Sequence, residues 1–350
     1  MHRRLALLST LTLVAGSVVL LLPAGGAQAD ARASAQVSLQ ARPKPAQHAA
    51  ADSASEQRQV LTYWTERRME AAPPLDAPRP QQGKGGLAAD AGQPGEPTEG
   101  TPWTAPPTSA PSGGGAAAVQ SARSPGEPWA GGGTVVRTTG RVFFTTQGRN
   151  ASCSGSAVTS ANKSVVLTAG HCVKLNGAFH TNWVFVPGYN AGNRPFGTWA
   201  ATRLLTTPQW NASEDIGFDV AAAVVAPLQG KTLVDAVGGQ GVAFNQQRRQ
   251  QMYAFGYPAA APYDGSKLIY CSGRAFDDFL LTDDLGLTCN MTGGSSGGPW
   301  MLNFNESTGL GTQNSVNSFK YNFAANWMFG PYFGNEAQAV YQAAQTTGAL

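Results

Sequence analysis

Val165-Val166-Leu167-Thr168-Ala169-Gly170-His171-Cys172 reads as a core strand that stops at a small-residue turn and delivers a histidine at its exit. A short apolar run rich in β-branched residues and closed by glycine fits a buried strand. Similar runs recur from Thr134 onward, separated by turn residues. They are Arg141–Thr146, Cys153–Thr159, Ser164–Thr168, Trp183–Val186, Ala200–Leu205 and Asp219–Val225, followed by Val242–Phe244, Met252–Gly256, Leu268–Ser272, Leu287–Asn290, Pro299–Leu302 and Val316–Phe319. Helical periodicity among them is weak, so the folded part is all-β, of sandwich or barrel type. The tail from Asn335 to Gln345 is the exception. Asn335 can cap a helix there, and Ala337, Val340, Tyr341 and Ala344 share one face, which suits a helix closing the last barrel.

Upstream, the composition changes. His2, Arg3 and Arg4 precede the apolar Leu5–Leu22, and Ala27-Gln28-Ala29 offers a small-residue cleavage site, so 1–29 reads as a secretory signal. Fourteen of the 23 prolines fall in 30–130, whereas all 15 phenylalanines lie beyond residue 142. A segment so poor in large apolar groups cannot hold a core of its own, and 30–130 is expected to be a disordered pro-segment or linker. One island stands out. Ser53-Ala54-Ser55-Glu56 has capping-box spacing, and Val60, Leu61, Trp64 and Arg68 follow at helical intervals. It is either a docking pro-segment or a short helix in a linker. The folded domain is assigned to 131–350. A net charge of +3 without basic blocks gives no pull towards nucleic acid or anionic membrane. The mature chain is expected to be extracellular, off the membrane once the signal is removed, and monomeric.

The cysteines are Cys153, Cys172, Cys271 and Cys289. An even count in an exported chain favours disulfides, and the local pairings Cys153–Cys172 and Cys271–Cys289 suit the strand layout. A metal site is the alternative, but the spacing is not that of zinc fingers. No metal or cofactor is expected.

A second stretch, Thr292-Gly293-Gly294-Ser295-Ser296-Gly297-Gly298-Pro299, places two serines in a glycine-dense turn, where backbone N–H groups can converge on one point. Histidine scarcity decides how to read it. His2 and His48 lie upstream of the folded domain, leaving His171 and His180, and none follows Ser296. An α/β-hydrolase order needs a later histidine, and a subtilisin order needs an earlier aspartate in the folded part. The order His–Asp–Ser remains. His171 is the base by virtue of its strand exit and adjacent cysteine, and His180 is read as a surface histidine. Asp219 opens an apolar run behind Phe218 and is preferred as the acid over Asp215, with Asp235 third.

The motifs Thr168-Ala169-Gly170-His171-Cys172 and Gly294-Ser295-Ser296-Gly297-Gly298-Pro299 resemble the histidine and serine motifs of chymotrypsin-like (trypsin-like) serine peptidases, secreted bacterial ones close to the glutamyl endopeptidase branch in particular. The resemblance covers about 134–350. It implies two six-stranded β-barrels with the active site between them, and a secreted endopeptidase acting on polypeptides through an acyl-enzyme. It also implies Ser296 as nucleophile, the N–H groups of Gly294 and Ser296 as oxyanion hole, and Cys153–Cys172 as the bridge holding the histidine loop. A catalytically silent peptidase-fold binding protein is the competing reading.

Departures from the pattern concern activation and specificity. Ser295 stands where many relatives keep an aspartate, so removal of 30–130 is the expected control. Asn290 occupies the place of the trypsin pocket acid. Asn317 replaces the histidine of glutamyl endopeptidases, and Lys320 replaces a small pocket residue, either attracting an acidic side chain or narrowing the pocket. Asn290, Asn317 and Lys320 are thus the candidate specificity residues.

Overall fold

The computed structural model of the chain describes residues 44–75, 96–109 and 123–349. The expected signal, 1–29, lies outside them. Three upstream stretches lead in: β1 (Ala46–Ala49), α1 (Ala54–Tyr63) and α2 (Glu66–Glu70), then β2 (Trp103–Ala105), then β3 (Ser124–Pro128). After α3 (Thr134–Thr138) come β4 (Thr139–Thr146), β5 (Arg149–Val158), β6 (Val165–Thr168), the hairpin β7 (Lys174–Leu175) and β8 (Ala178–Phe179), β9 (Thr181–Pro187), β10 (Trp199–Thr206), α4 (Pro208–Ser213) and β11 (Ala221–Val225). Strands β4, β5, β6, β9, β10 and β11 close on themselves through a β9–β10 pairing, forming a six-stranded barrel. Its strands β6 and β11 are buried throughout, which explains their unbroken apolar sequences.

The second half follows α5 (Leu233–Val237). It contains β12 (Gly241–Phe244), β13 (Gln251–Gly256), β14 (Ile269–Arg274), β15 (Phe276–Asp277), β16 (Leu285–Thr288), β17 (Pro299–Asn305), β18 (Leu310–Val316) and β19 (Trp327–Gly330). A sheet ordered β2-β12-β18-β17-β13-β14-β3 and a smaller one ordered β15-β16-β19 make up this half. Met252, Ala254, Cys271, Leu287, Trp300 and Met328 form a core shared by both sheets. A mostly β chain with one closed barrel and a second β half has the chymotrypsin-like two-barrel architecture. One expected strand is displaced: Val316–Phe319 is the exit of β18 rather than a strand, and Phe319 makes only an isolated bridge to Phe329.

The last helix, α6 (Asn335–Thr346), buries Ala337, Val340, Tyr341 and Ala344 as the periodicity requires. It packs on β11, β10 and β6 of the first barrel and also touches β12 of the second half, Tyr341 meeting Phe244 at 5.6 Å. Tyr341 fixes it there, donating to the Thr159 carbonyl at 2.7 Å. Gly334, not Asn335, is the cap residue, and Thr98 binds Glu336 in the first turn through its N–H and hydroxyl.

The upstream region departs furthest from expectation. In place of disorder, its described stretches are laid onto the domain. β2 pairs antiparallel with β12 and β3 with β14, each extending a sheet edge, and β1 pairs with Arg203–Thr206 of β10, the part of that strand beyond its pairing with β9. An open edge offers ready-made backbone partners, so a strand can be ordered there without a core of its own. α1 carries the full capping box, with Ser53 accepting from the Glu56 N–H and Glu56 from the Ser53 N–H. The helix breaks at Trp64, and Thr65 caps α2. The break turns the indole inward. Trp64 is 1% exposed, donates to the Asn182 carbonyl and packs on Phe143 at 5.6 Å. Met69 and Ala72 are buried with it, whereas Arg68 stays outside over the Tyr63 ring.

Candidate active site

The buried β6 ends at Thr168, and a single 3-10 turn, Gly170–Cys172, follows. His171 lies on that turn and is fully buried. Cys172 is bonded to Cys153 of β5, so the turn is tied to the neighbouring strand. The second disulfide joins Cys271 to Cys289, seven residues before Ser296. Cys153, His171 and Cys172 offer donor atoms within 4.8 Å of one another. Both sulfurs are consumed by the disulfide and His171 Nδ1 by a carboxylate, so the group does not suit a metal.

That carboxylate is Asp219, delivered by the 3-10 turn Ile216–Phe218 at the entrance to β11. It accepts from the His171 backbone N–H at 2.8 Å and lies 2.7 Å from His171 Nδ1. Ser318 Oγ donates to the same carboxylate at 2.5 Å. Because Asp219 accepts at Nδ1, the imidazole carries its proton there and presents Nε2 as the basic nitrogen. Nε2 is buried and has no hydrogen-bond partner among the described residues. Asp215 instead caps the preceding turn, accepting from the Gly217 N–H, and Asp235 sits at the surface with Lys163 at 3.0 Å.

The serine turn approaches this pair from the second half. Ser154 N–H donates to the Ser296 carbonyl at 2.7 Å, and Ser154 Oγ to the Gly294 carbonyl at 2.9 Å. Gly297, at φ +77°, lies against Thr168 Oγ1 and the Ala169 N–H, directly before the histidine turn. Gly294 is at φ +93°, where a side chain is strained and a Cβ would come within 2.9 Å of the Tyr257 carbonyl. The two serines differ. Ser295 Oγ is tied down, donating to the Thr292 carbonyl at 2.7 Å. Among the described residues, Ser296 Oγ and the N–H groups of Gly294 and Ser296 take no partner. Ser296 and Ser318 both line a cavity of about 250 Å³.

Of the three candidate specificity residues, only Lys320 lines that cavity. Asn317 is buried behind the serine turn. Its amide donates to the Phe255 and Ser295 carbonyls, and its oxygen accepts from Trp300 Nε1. Asn290 accepts from the Tyr263 hydroxyl at 2.6 Å, next to Gly126 of β3. Both asparagines therefore brace the walls, and Met291, Thr292 and Met328 take their place in the lining.

His180 is not a surface residue. It is 2% exposed, stacks on Phe144 at 4.3 Å, and its Nε2 donates to the His171 carbonyl at 2.9 Å. Burial pushes its pKa down to about 4, so the ring is neutral and a dependable donor. The β7–β8 hairpin brings it back onto the histidine turn, a placement with no short-range signal in the sequence. Ser318 was missed for the same reason.

No family model matches the chain, and no curated protein does. Solved structures do. The crystal structure of the protease Anisep from Arthrobacter nicotinovorans is 45% identical, with a TM-score of 0.58, over 60% of this chain and 96% of that one. The thermostable serine protease AL20 from an extremophilic microorganism is also 45% identical at a TM-score of 0.58, over 61% of this chain and 100% of its own. The chain belongs to the chymotrypsin-like serine peptidases. It is a hydrolase with polypeptides as substrates. In this peptidase Pro73, Pro74 and Leu75 run beside the cavity. Ser152 N–H donates to the Pro73 carbonyl and Leu75 N–H to the Ser152 carbonyl, both at 2.9 Å. Pro74 and the Leu75 carbonyl lie against Gly293 of the lining, 3.5 Å from where its Cβ would be.

Proposed function

We propose that the protein is a secreted serine endopeptidase whose triad is His171, Asp219 and Ser296. Ser296 Oγ attacks the peptide carbonyl as His171 Nε2 takes its proton. The same imidazole then protonates the leaving amine, and water resolves the acyl-enzyme in the reverse sequence. Asp219, with Ser318 and the buried His180, holds the ring and stabilises the imidazolium as it forms. The N–H groups of Gly294 and Ser296 receive the oxyanion. The observation that carries this reading is the buried His171–Asp219 pair, linked by Ser318 to the cavity that holds an unpartnered Ser296 hydroxyl. All these groups come from one chain, which suits a monomer. Two disulfides suit the oxidising conditions of an exported protein.

Residues 131–350 act as the peptidase domain in this reading, and the upstream segment restrains it. Support comes from the Trp64 anchor, the β1–β10 pairing, and Pro73–Leu75 at the cavity rim. Removal of the segment would open the cleft.

The test is Ser296→Ala in purified, processed protein, assayed on a mixed peptide library. Hydrolysis falls by roughly 10⁴-fold or more if Ser296 is the nucleophile. Retained turnover in a correctly folded variant refutes the assignment.

A further inference from the structure

Among the described residues, the cavity beside Ser296 carries one ionised group, Lys320, and no carboxylate. Apart from the Asn322 amide, its remaining lining is hydroxyl and apolar, including Thr292, Ser318, Met291 and Met328. Lys320 Nζ donates to the Cys289 carbonyl at 2.8 Å and to the Ala325 carbonyl at 2.5 Å. These bonds fix the ammonium in position and occupy two of its three protons. No carboxylate among the described residues lies within 4.0 Å of it. A half-buried cation without a counter-ion is costly unless a ligand supplies one.

We propose that this cavity receives an acidic side chain from the substrate, on the residue whose carbonyl Ser296 attacks, with Lys320 as its counter-ion. The proposal rests on the peptidase reading above and names its substrate class. Desolvation supports it independently of contact geometry, because burial pushes the Lys320 ammonium down to about 8, and an incoming carboxylate would relieve that penalty. The cavity volume suits an aspartate or glutamate side chain. The two carbonyls that hold Nζ leave its third proton available to a ligand. Asn317, the position that the sequence motif singled out, plays no part in this because it faces the core behind the serine turn. Lys320 acts here as a binding residue with no proton to transfer.

The alternative is that Lys320 is only a strut between Cys289 and Ala325. Processed wild type, Lys320→Met and Lys320→Arg would be assayed on quenched fluorescent peptides that differ only at the residue before the scissile bond: Glu, Gln, Asp, Asn and Leu. Wild type prefers Glu over Gln by about tenfold or more in kcat/KM, the scale of one charge-assisted hydrogen bond. In Lys320→Met that preference collapses while the Leu peptide is still cleaved, and Lys320→Arg retains most of it. Equal cleavage of Glu and Gln peptides by wild type overturns the proposal, as does an equal loss on every peptide in Lys320→Met. Labelling of Ser296 by a fluorophosphonate separates this from failure of the peptidase reading. A labelled, active enzyme without acid preference sinks the Lys320 assignment alone, whereas no labelling and no cleavage of any peptide sinks the peptidase reading.

Discussion

Trp64→Ala tests how the upstream segment is held. The indole is 1% exposed, contacts Phe143 and spends its N–H on the Asn182 carbonyl. Truncating a buried tryptophan to alanine costs about 3–5 kcal/mol, and each 1.4 kcal/mol is roughly tenfold. The loss falls on the docking equilibrium of 44–75, because the barrel beneath keeps its own core, while β1 and the Ser152 hydrogen bonds remain. Native-state hydrogen exchange would be measured on the full chain in a Ser296→Ala background, which silences self-cleavage. Protection of the amides of 46–49 and of Leu75 should fall by about 10²- to 10³-fold, with β4–β6 unchanged. Unaltered protection across 46–75 would refute the anchor role. Loss of protection throughout the first barrel would show that the segment and barrel are one cooperative unit.

Two further outcomes follow from the site itself. His180 has a folded pKa near 4 against 6.5 unperturbed. Between these values the unfolded chain binds the proton and the folded chain does not, so stability falls as pH drops through that window, by about 3 kcal/mol in total. Urea unfolding across the window should show this slope in wild type and its loss in His180→Gln; identical slopes refute the assignment. Gly294→Ala forces a side chain into φ +93° against the Tyr257 carbonyl, and so disturbs the N–H that the proposed mechanism assigns to the oxyanion. Its kcat should drop by about 10²- to 10³-fold with little change in KM, and a near-normal kcat would remove Gly294 from the oxyanion hole.

Much of the site was legible because its chemistry constrains local sequence. A core strand must be apolar, so the approach to His171 and the run after Asp219 were visible. The scarcity of histidine then left one workable order. The cysteine spacing suited the two bridges that form. The positions of β4–β6, β9–β14, β16 and β17 were readable for the same reason, through apolar runs between turns, whereas the two-residue strands β7, β8 and β15 were not. Specificity was less legible. Asn317 and Asn290 were chosen by motif alignment, but the direction of a side chain at a strand exit depends on the strands around it, and both turned into the walls.

The sequence by itself determined the all-β character, which follows from residue types along the chain; the His–Asp–Ser order follows from where its few histidines lie, and the choice of Ser296 over Ser295 came from the family resemblance. Only tertiary structure decided the rest. His180 reaches the histidine turn by way of the β7–β8 hairpin, and Ser318 reaches the aspartate from an element distant in sequence. α6 found its apolar partners on the first barrel and on β12. The upstream region is too poor in large apolar residues to fold alone, as its composition says, yet its described stretches lie on the domain. Existing sheet edges supply its hydrogen bonds, and an existing apolar face takes Trp64. A core already built by one part of the chain is a partner that no local composition can report.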